Sequence, residues 1–308
     1  MTFSVPHDEH IRTDLDHTDL HPTELTDTEF TGADLAGVFA GLTYTALNED
    51  LADNQRWSTW TAVERGARGP YPRPDWVVTD DSAVDTELGV LKTGKEADVY
   101  LVERAVQGDD TRSVVMAAKR YRNEQHRSFH RSTSYTEGRR TRNTRDARAM
   151  AKGSSFGREV AAGQWAQAEF SALVRLWELA VPVPYPVQVD GTELLLELIA
   201  VDGHAAPRLA QARCSRSQLD GYFEQLRDAM HALARAGLAH GDLSAFNLLA
   251  QGDRLVIIDL PQVIDLVANP QGMDFLLRDC RNVCNWFASR GLDVDADELF
   301  SELLASAF

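Results

Sequence analysis

Large apolar residues are sparse over the first 55 positions, and regular hydrophobic periods begin at Leu88. Short apolar runs bounded by glycine or aspartate are typical of strands, whereas broad apolar faces at three- and four-residue spacing are typical of helices. The pattern predicts strands at Leu88–Leu91, Asp98–Val102, Val114–Lys119, Val187–Val189, Glu193–Ile199, Asn247–Leu249 and Leu255–Asp259. It predicts helices at Glu159–Ala180, Ser217–Ala236 (with Ser217 as N-cap), Met273–Arg290 and Ala296–Ala305.

The order of these elements predicts an α+β protein with two lobes. Strands with one inserted helix occupy residues 88–200, and helices dominate residues 201–308. Strand-rich and helix-rich segments that follow one another along a chain indicate segregated layers rather than a parallel α/β sheet. We therefore expect an antiparallel N-terminal lobe with one helix and a reduced, mainly helical C-terminal lobe.

Three segments fall outside this regular pattern. Residues 1–55 form an acidic extension that we expect to be disordered. Residues 56–87 interleave tryptophan and tyrosine with proline, which predicts an extended segment that docks its aromatic rings on the N-terminal lobe. The Arg- and Ser-rich residues 120–157 have no apolar period and predict a flexible basic loop, in which the candidate phosphorylation sites are Ser128, Ser132, Thr133, Ser134, Thr136, Thr141 and Thr144.

The formal net charge of −16 is distributed unevenly. Residues 1–60 contain twelve acidic and two basic residues, whereas residues 119–158 contain twelve basic and three acidic residues. An acidic protein is a poor general nucleic-acid binder, but a local basic segment can still bind phosphate groups. RNA or a ribosomal particle is therefore a candidate partner for the loop at 120–157.

The remaining composition points to a cytoplasmic protein without membrane contact. No apolar run is long enough to span a bilayer, and the acidic N-terminus lacks the apolar core of a secretory signal. Three cysteines do not make a disulfide framework. Cys280 and Cys284 lie four residues apart without a second ligand pair nearby, so buried structural thiols are expected there rather than a metal site.

Candidate chemistry is concentrated between His240 and Asp259. The stretch His240-Gly241-Asp242-Leu243-Ser244-Ala245-Phe246-Asn247 matches the H-x-D-x-x-x-x-N catalytic-loop pattern of protein kinases. Asp242 is placed to orient or deprotonate an attacking hydroxyl, whereas Asn247 and Asp259 supply the oxygen ligands that Mg²⁺ prefers. His240 is expected to brace the loop rather than to carry a proton.

Phosphate-binding chemistry is predicted earlier in the chain. The turn from Lys92 to Val99 retains one glycine of a glycine-rich phosphate loop, at Gly94, and Lys119 closes the next apolar strand. The chain has four lysines, at positions 92, 95, 119 and 152, and three of them fall on this predicted cleft. A lysine ammonium is compact, so an arginine does not replace it at an α/β-phosphate. Glu169 lies mid-helix, where it is either a partner of Lys119, as the corresponding glutamate is in protein kinases, or a solvated helix glutamate.

Taken together, these motifs resemble the RIO-type atypical serine/threonine protein kinases, of the branch without an N-terminal winged helix. The resemblance covers residues 85–305 and includes Ile258-Asp259-x-x-Gln262 and the tail Phe275-Leu276-x-Arg278-Asp279-x-x-Asn282. It implies a small bilobal kinase-like fold that binds ATP with Mg²⁺ or Mn²⁺. It implies phosphoryl transfer to a protein acceptor, to the protein itself or to Asp259, or ATP hydrolysis that switches a partner. The implied catalytic residues are Asp242 and Asp259. The implied nucleotide-binding residues are Lys92, Thr93, Gly94, Lys95, Val99, Lys119, Glu169, Glu197 and Ile199.

One position departs from the family pattern, and two other functions compete with this one. Pro261 replaces the usual serine before Gln262 and removes a backbone donor beside the predicted metal site. A small-molecule phosphotransferase of the aminoglycoside or choline kinase type would share the His240–Asp242 motif. It would need a larger helical lobe than the 49 residues after Asp259 are expected to supply. A non-catalytic, ATP-responsive RNA-binding module would use the basic loop.

Overall fold

The computed structural model of the chain describes residues 51–122, 155–260 and 263–308, with the side chains of residue 110 and residues 155–158 left aside. Residues Leu51–Phe308 belong to one unit. Its N-terminal lobe is a six-stranded antiparallel sheet in the order β1-β2-β3-β4-β6-β5. The strands are β1 (Gln55–Trp57), β2 (Ala83–Thr93), β3 (Ala97–Val106), β4 (Asp109–Tyr121), β5 (Pro186–Asp190) and β6 (Glu193–Glu197).

Successive side chains of β4 alternate between the two faces of the sheet, and each face packs against a different apolar cluster. Met116 and Ala118 are buried on the outer face, where they pack in one cluster with Val102 of β3. Lys119 and Tyr121 point the other way, because successive side chains of a strand lie on opposite faces. Tyr121 belongs to the main core, which lies on the inner face and continues into the C-terminal lobe.

The aromatic segment that precedes β2 covers the outer face of the sheet. Trp60 is 3% exposed and packs in the outer-face cluster. The Tyr185 hydroxyl donates to the carbonyl of Pro70 at 2.8 Å, and the Trp76 ring meets the Tyr185 ring edge-on at a centroid distance of 5.8 Å. The same segment adds β1 to the sheet edge, which the apolar pattern did not predict.

A buried ion pair ties the outer face together. The Arg104 guanidinium is fully buried and donates to both oxygens of Asp85, at 2.7 and 2.9 Å. It also donates to Gln188, whose amide in turn donates to Thr59. Every polar group in this chain of contacts has a partner, which is the condition under which burial of a charge is tolerated.

Helix α1 (Ser155–Glu178) packs on the inner face of the sheet. Phe170, Leu173 and Leu176 are each at most 2% exposed and lie in the main core. The predicted bounds of the preceding loop, 120–157, were wrong at both ends, because β4 continues to residue 121 and α1 begins at residue 155. Residues 123–154, with all the candidate phosphorylation sites, lie outside the described residues.

The C-terminal lobe combines short hairpins with three helices in its described parts. The strands are β7 (Ala200–Val201), β8 (His204–Ala205), β9 (Leu238–Ala239), β10 (Leu248–Gln251), β11 (Arg254–Ile257) and β12 (Ile264–Asp265), and the helices are α2 (Arg216–Arg235), α3 (Gly272–Ala288) and α4 (Ala296–Ala307). The predicted N-cap of α2 was wrong by two residues. Ser215 caps the helix, in a reciprocal capping box with Gln218.

Within the described ranges, no helix combines the length and apolar character needed to cross a bilayer.

All three cysteines are free thiols, and Cys280 and Cys284 are buried in α3. Burial raises the pKa of the Cys280 thiol to about 12 and that of Cys284 to about 11. No group of three or more histidine, cysteine or acidic side chains suited to a metal occurs among the described residues. The expectation of buried structural thiols agrees with this placement.

Candidate active site

The register of three strands brings the predicted phosphate-binding residues side by side. Lys92 of β2 pairs with Val99 of β3, and Val99 pairs with Lys119 of β4. Directly opposed residues on neighbouring strands have their side chains on the same face. The inner face of the sheet therefore presents two ammonium groups on either side of Val99. Burial and the nearby Arg208 lower the pKa of Lys92.

The phosphate loop is a tight turn between β2 and β3, held by its own backbone. The Gly94 N–H donates to the carbonyl of Ala97 at 3.0 Å. A Cβ atom at position 94 would lie 2.7 Å from that same carbonyl oxygen, so only glycine fits the turn. Asp98 follows the turn and is gripped by Arg122 through two hydrogen bonds of 2.6 and 2.8 Å. The geometry of the turn therefore requires glycine at position 94, whether or not a phosphate binds there.

Lys119 contacts two carboxylates, one in its own lobe and one in the C-terminal lobe. Its Nζ lies 2.8 Å from Oε1 of Glu169 on α1 and 2.8 Å from Oδ1 of Asp259, which follows β11. Glu169 is 2% exposed and accepts two further hydrogen bonds, from the Tyr121 hydroxyl and from the Leu260 N–H at 3.3 Å. The predicted Lys119–Glu169 pair is present, and Glu169 also contacts the loop that carries Asp259.

The charges of this group stabilise one another. Burial alone would lower the pKa of Lys119, but the carboxylates of Glu169 and Asp259 outweigh it and raise the pKa well above its ordinary value. The Lys119 charge in turn lowers the pKa of Asp259 to about 2, against the raising effect of burial. Lys119 is therefore a fixed ammonium and Asp259 a fixed carboxylate at neutral pH.

Asp259, the predicted metal ligand, has an unusual backbone conformation. Asp259 has φ of 66°, in the left-handed region that residues other than glycine, asparagine and aspartate seldom adopt. This conformation occurs two residues after the end of β11, and the Asp259 side chain contacts Lys119. The side chain is 47% exposed, so an oxygen is accessible to a ligand while the other is bound to Lys119.

The catalytic loop connects β9 to β10 and is braced from within. His240 is 2% exposed, donates from Nε2 to the carbonyl of Ile258 at 3.1 Å and accepts at Nδ1 from the Asp242 N–H at 3.3 Å. Both ring nitrogens are therefore occupied, which fits the predicted bracing role. Asp242 itself is exposed to solvent. Asn247 donates from its amide nitrogen to the carbonyl of Asp242 at 2.8 Å, which leaves its side-chain oxygen free to accept or to ligate.

Helix α3 anchors the same loop from the opposite side. Asp279 is 1% exposed, and its two oxygens accept from the N–H groups of Gly241 and Leu243 at 2.7 and 2.8 Å. The neighbouring Arg278 donates to the carbonyl of Gly241, and Asn282 donates to the carbonyl of Leu243 at 3.1 Å. Side chains of α3 therefore bind both the N–H groups and the carbonyl groups of the residues on either side of Asp242.

Two residues of the site were not singled out from the sequence. Tyr121 lies two positions after Lys119 on β4, and this i, i+2 spacing on one strand was the available signal that both side chains share a face. Asp279 was recognised only as part of the tail motif. Its contact with Gly241 spans 38 residues, and no local pattern reports a contact of that separation.

Three predicted nucleotide-binding residues lie away from the Lys119 contacts. Lys95 is exposed at the tip of the phosphate loop. The carboxylate of Glu197 accepts from the Tyr185 N–H at 3.0 Å. Ile199 is 3% exposed and packs in a small apolar cluster with Ala206. Their roles in nucleotide binding stay predictions. Pro261 and Gln262, beside the metal loop, lie outside the described residues.

Comparison with known proteins gives one consistent family. Residues 98–299 match the RIO domain model. The chain is 38% identical to the RIO-type serine/threonine-protein kinase Rio1 of Haloferax volcanii over 223 residues, which cover 72% of this chain and 70% of that protein. It is 29% identical to the human serine/threonine-protein kinase RIO1 over 218 residues, 68% of this chain and 34% of that protein.

Among solved structures, the Rio2 kinase from Chaetomium thermophilum in an ADP/Mg²⁺-phosphoaspartate complex is similar over 71% of this chain and 65% of that chain. The TM-score is 0.47 and the identity is 20%. The six-stranded sheet and the helices described above confirm the predicted α+β fold with two lobes. The RIO domain match does not favour the two alternative functions. Whether the chain lacks a winged helix stays a prediction. With the RIO domain match over residues 98–299 and the archaeal relative, the chain belongs to the RIO family of serine/threonine-protein kinases.

Proposed function

We propose that this protein uses ATP and Mg²⁺ to phosphorylate serine or threonine, on itself or on a protein partner, and that nucleotide turnover switches its interaction with that partner. The observation that carries this proposal is the convergence of Lys119, Glu169 and Asp259, which come from three separate elements, within hydrogen-bonding distance. An ammonium fixed beside a carboxylate of low pKa is suited to a site that holds a polyphosphate and a divalent cation together.

The donors present fit Mg²⁺·ATP. Asp259 offers an accessible carboxylate oxygen, and Asn247 offers a carboxamide oxygen whose amide nitrogen is already bound to the backbone. Hard oxygen donors that are few in number suit Mg²⁺ held jointly by protein and phosphate. Bound Mg²⁺·ATP would supply the phosphoryl group and neutralise the charge that develops on it. Lys92 and Lys119 would bind phosphate oxygens from the sheet side of the cleft.

Asp242 has the role of orienting the acceptor. It is exposed, whereas the backbone on both sides of it is fixed by His240 and Asp279. An accessible carboxylate on a rigid loop can accept the hydrogen bond of a serine or threonine hydroxyl and take up its proton. Asp259 is the second candidate acceptor of the phosphoryl group, because its carboxylate is a predicted metal ligand and would lie beside the nucleotide phosphates.

The partner of the protein is a separate part of the proposal. The basic residues between 120 and 157 would bind RNA or a ribosomal particle, because arginine-rich segments contact phosphate groups. A cytoplasmic location would accord with this. The support is the sequence alone, since residues 123–154 are outside the described ranges. Loss of RNA binding on deletion of residues 123–154, with a steep dependence on salt in the intact chain, would support it.

A turnover assay with one substitution tests the central proposal. The chain is incubated with γ-labelled ATP and Mg²⁺, and both protein-bound label and free phosphate are measured. Asp259→Asn is expected to lower both by at least about 100-fold, because it removes the charged metal ligand while asparagine tolerates the left-handed backbone at φ of 66°. Hydroxylamine-labile label would identify Asp259 as acceptor, and stable label would identify serine or threonine.

The matched control is Asp253→Asn. This residue is exposed on the turn of the β10–β11 hairpin, six positions before Asp259, and it undergoes the same chemical change. Turnover by the control should equal that of the wild type. If the wild type binds ATP and yet neither acquires label nor releases phosphate, the proposed function is wrong.

A further inference from the structure

The Glu169 carboxylate accepts hydrogen bonds from two further donors in addition to Lys119. Its Oε1 accepts from Lys119 and from the Leu260 N–H, whereas its Oε2 accepts from the Tyr121 hydroxyl. A carboxylate that is 2% exposed cannot replace a lost hydrogen bond with bulk water. Among the described residues, the Tyr121 hydroxyl is the donor to Oε2 of this buried carboxylate.

Tyr121 also contacts the other member of the pair. The Lys119 Nζ lies 5.3 Å from the centre of the Tyr121 ring, within the range of a cation–π contact. Both residues point to the inner face of β4, two positions apart. The Tyr121 ring is 6% exposed and belongs to the main core, so its position is fixed by packing. The pKa of the Tyr121 hydroxyl is well above its ordinary value because of burial and the Glu169 charge, so the hydroxyl keeps its proton and remains a donor.

We propose that Tyr121 is a positioning residue for phosphoryl transfer, acting through Glu169 to hold Lys119 at the nucleotide phosphates. This inference rests on the proposed function for its kinetic part only. Without the hydroxyl, one oxygen of a buried carboxylate has no donor, and Glu169 can rotate away from Lys119 to find one. The Lys119 ammonium then loses its Glu169 partner and is no longer held in the position from which it would bind the nucleotide phosphates.

The kinetic test is Tyr121→Phe, which removes one oxygen atom and keeps the ring in the core. We expect kcat for ATP turnover to fall by about ten-fold, as one hydrogen bond to a charged group is lost, with a change in KM for ATP of less than about three-fold. The matched control is Tyr222→Phe. Tyr222 is 2% exposed on α2 and donates to the carbonyl of Gly252, so it loses an equivalent buried hydroxyl away from Lys119. Its kcat should not change.

A double-variant cycle separates positioning from general packing. If Tyr121 acts through Glu169, then in a Glu169→Gln background the Tyr121→Phe change should lower kcat by less than about two-fold. Full additivity of the two changes would overturn the proposal. So would a wild-type kcat in Tyr121→Phe.

A second measurement does not depend on turnover. The four lysines of the chain can be followed individually by mass spectrometry after brief acylation at about pH 8. The Lys119 ammonium is held between Glu169 and Asp259, so a Glu169 side chain that rotates away should leave the amine less shielded and more reactive. Labelling of Lys119 relative to Lys92 and Lys95 should rise at least about three-fold in Tyr121→Phe and stay constant in Tyr222→Phe. An unchanged ratio in Tyr121→Phe overturns the positioning role even if the wild type has no turnover, whereas absent turnover with a raised ratio overturns the proposed function alone.

Discussion

Asp259 combines two features that depend on each other. Its left-handed backbone, at φ of 66°, turns the carboxylate towards Lys119, and the 2.8 Å ion pair holds the carboxylate ionised. A strained backbone at a candidate site persists only when surrounding contacts over-determine it. Here those contacts are the Lys119 ion pair and the adjoining Leu260 N–H, which donates to Glu169. The predicted metal ligand is therefore positioned by Lys119, which is predicted to bind phosphate, and by the Glu169 contact next to it.

This coupling predicts a specific pH dependence of stability. The pKa of Asp259 is lowered from its ordinary 3.8 to about 2, chiefly by the charge of Lys119. A carboxylate with a depressed pKa in the folded state contributes stability that is complete above its unfolded pKa and is lost as the pH falls through its folded pKa. The difference in free energy of unfolding between wild type and Asp259→Asn should therefore shrink as the pH falls from about 5 to about 3.

Urea unfolding at several pH values measures this difference. Because the Asp259 side chain is 47% exposed, solvent screening makes the effect smaller than a buried pair would give. A gap between wild type and Asp259→Asn that stays constant or widens on acidification would contradict the prediction.

At the scale of elements, strand alternation distributes the chemistry of β4. Lys119 and Tyr121 face the cleft, and Arg120 faces outward, where it pairs with Glu87 and Glu193. Arg122 at the end of β4 reaches back to Asp98, beside the phosphate loop. One strand therefore carries the lysine predicted to bind phosphate, the tyrosine proposed to position Glu169, and the arginine that pairs with Asp98 beside the predicted phosphate loop.

The Asp98–Arg122 pair is expected to order the phosphate loop. Hydrogen bonds from Arg122 are the main reason why the pKa of Asp98 is low, and the Gly94 N–H and the Thr93 hydroxyl also contribute. Asp98→Ala should weaken ATP binding by about three- to ten-fold, since a charge-assisted, two-pronged contact no longer restrains the turn. Isothermal titration measures the affinity, and hydrogen exchange at residues 93–97 should accelerate.

Asp80 offers the matched control for this substitution. It forms a single-contact ion pair with Arg112 at 3.0 Å on the same lobe, away from the phosphate loop. Asp80→Ala should leave ATP affinity and exchange at residues 93–97 unchanged. Equal effects of the two substitutions on ATP affinity would show that Asp98 has no special role in the loop.

The sequence predicted the parts of this site that local rules determine. Apolar alternation placed Lys119 on a strand, the helical period placed Glu169 mid-helix, and motif spacing identified Asp242 and Asn247. It did not predict the Tyr121–Glu169 or Asp279–Gly241 contacts, which join residues 48 and 38 positions apart, because no motif links these residues as one links Lys119 to Glu169. Nor did it predict β1, whose pairing with β2 depends on how an aromatic segment packs across the sheet. Tertiary packing decides contacts and edge strands of this kind.

On the scale of the whole molecule, the catalytic loop is a joint product of both ends of the C-terminal lobe. The loop follows β9, but its N–H groups at Gly241 and Leu243 are bound by Asp279, which lies in α3 after the metal loop. The connecting β12 pairs with β9, so the chain returns beside the strand that leads into the catalytic loop. A buried carboxylate of α3 therefore binds the backbone on both sides of Asp242.

Asp279→Asn tests this dependence. An asparagine keeps one acceptor oxygen but places an amide N–H₂ group against a second N–H donor, so one of the two backbone groups would be buried without an acceptor. Asp279 is 1% exposed, and we expect the free energy of unfolding to fall by about 2–3 kcal/mol. Because the loop itself shifts, kcat for ATP turnover should fall by at least about ten-fold in the protein that remains folded.

The control for Asp279 is another aspartate that binds two backbone N–H groups. Asp295 caps α4 and accepts from Asp297 and Glu298 at 2.8 and 2.9 Å, but it is exposed and does not contact the catalytic loop. Asparagine and aspartate are nearly equivalent N-caps, so Asp295→Asn should cost less than about 0.5 kcal/mol and leave kcat unchanged. If Asp279→Asn lowers stability while kcat of the folded fraction equals that of the wild type, then α3 supports the lobe without positioning Asp242, and His240 alone would have to brace the loop.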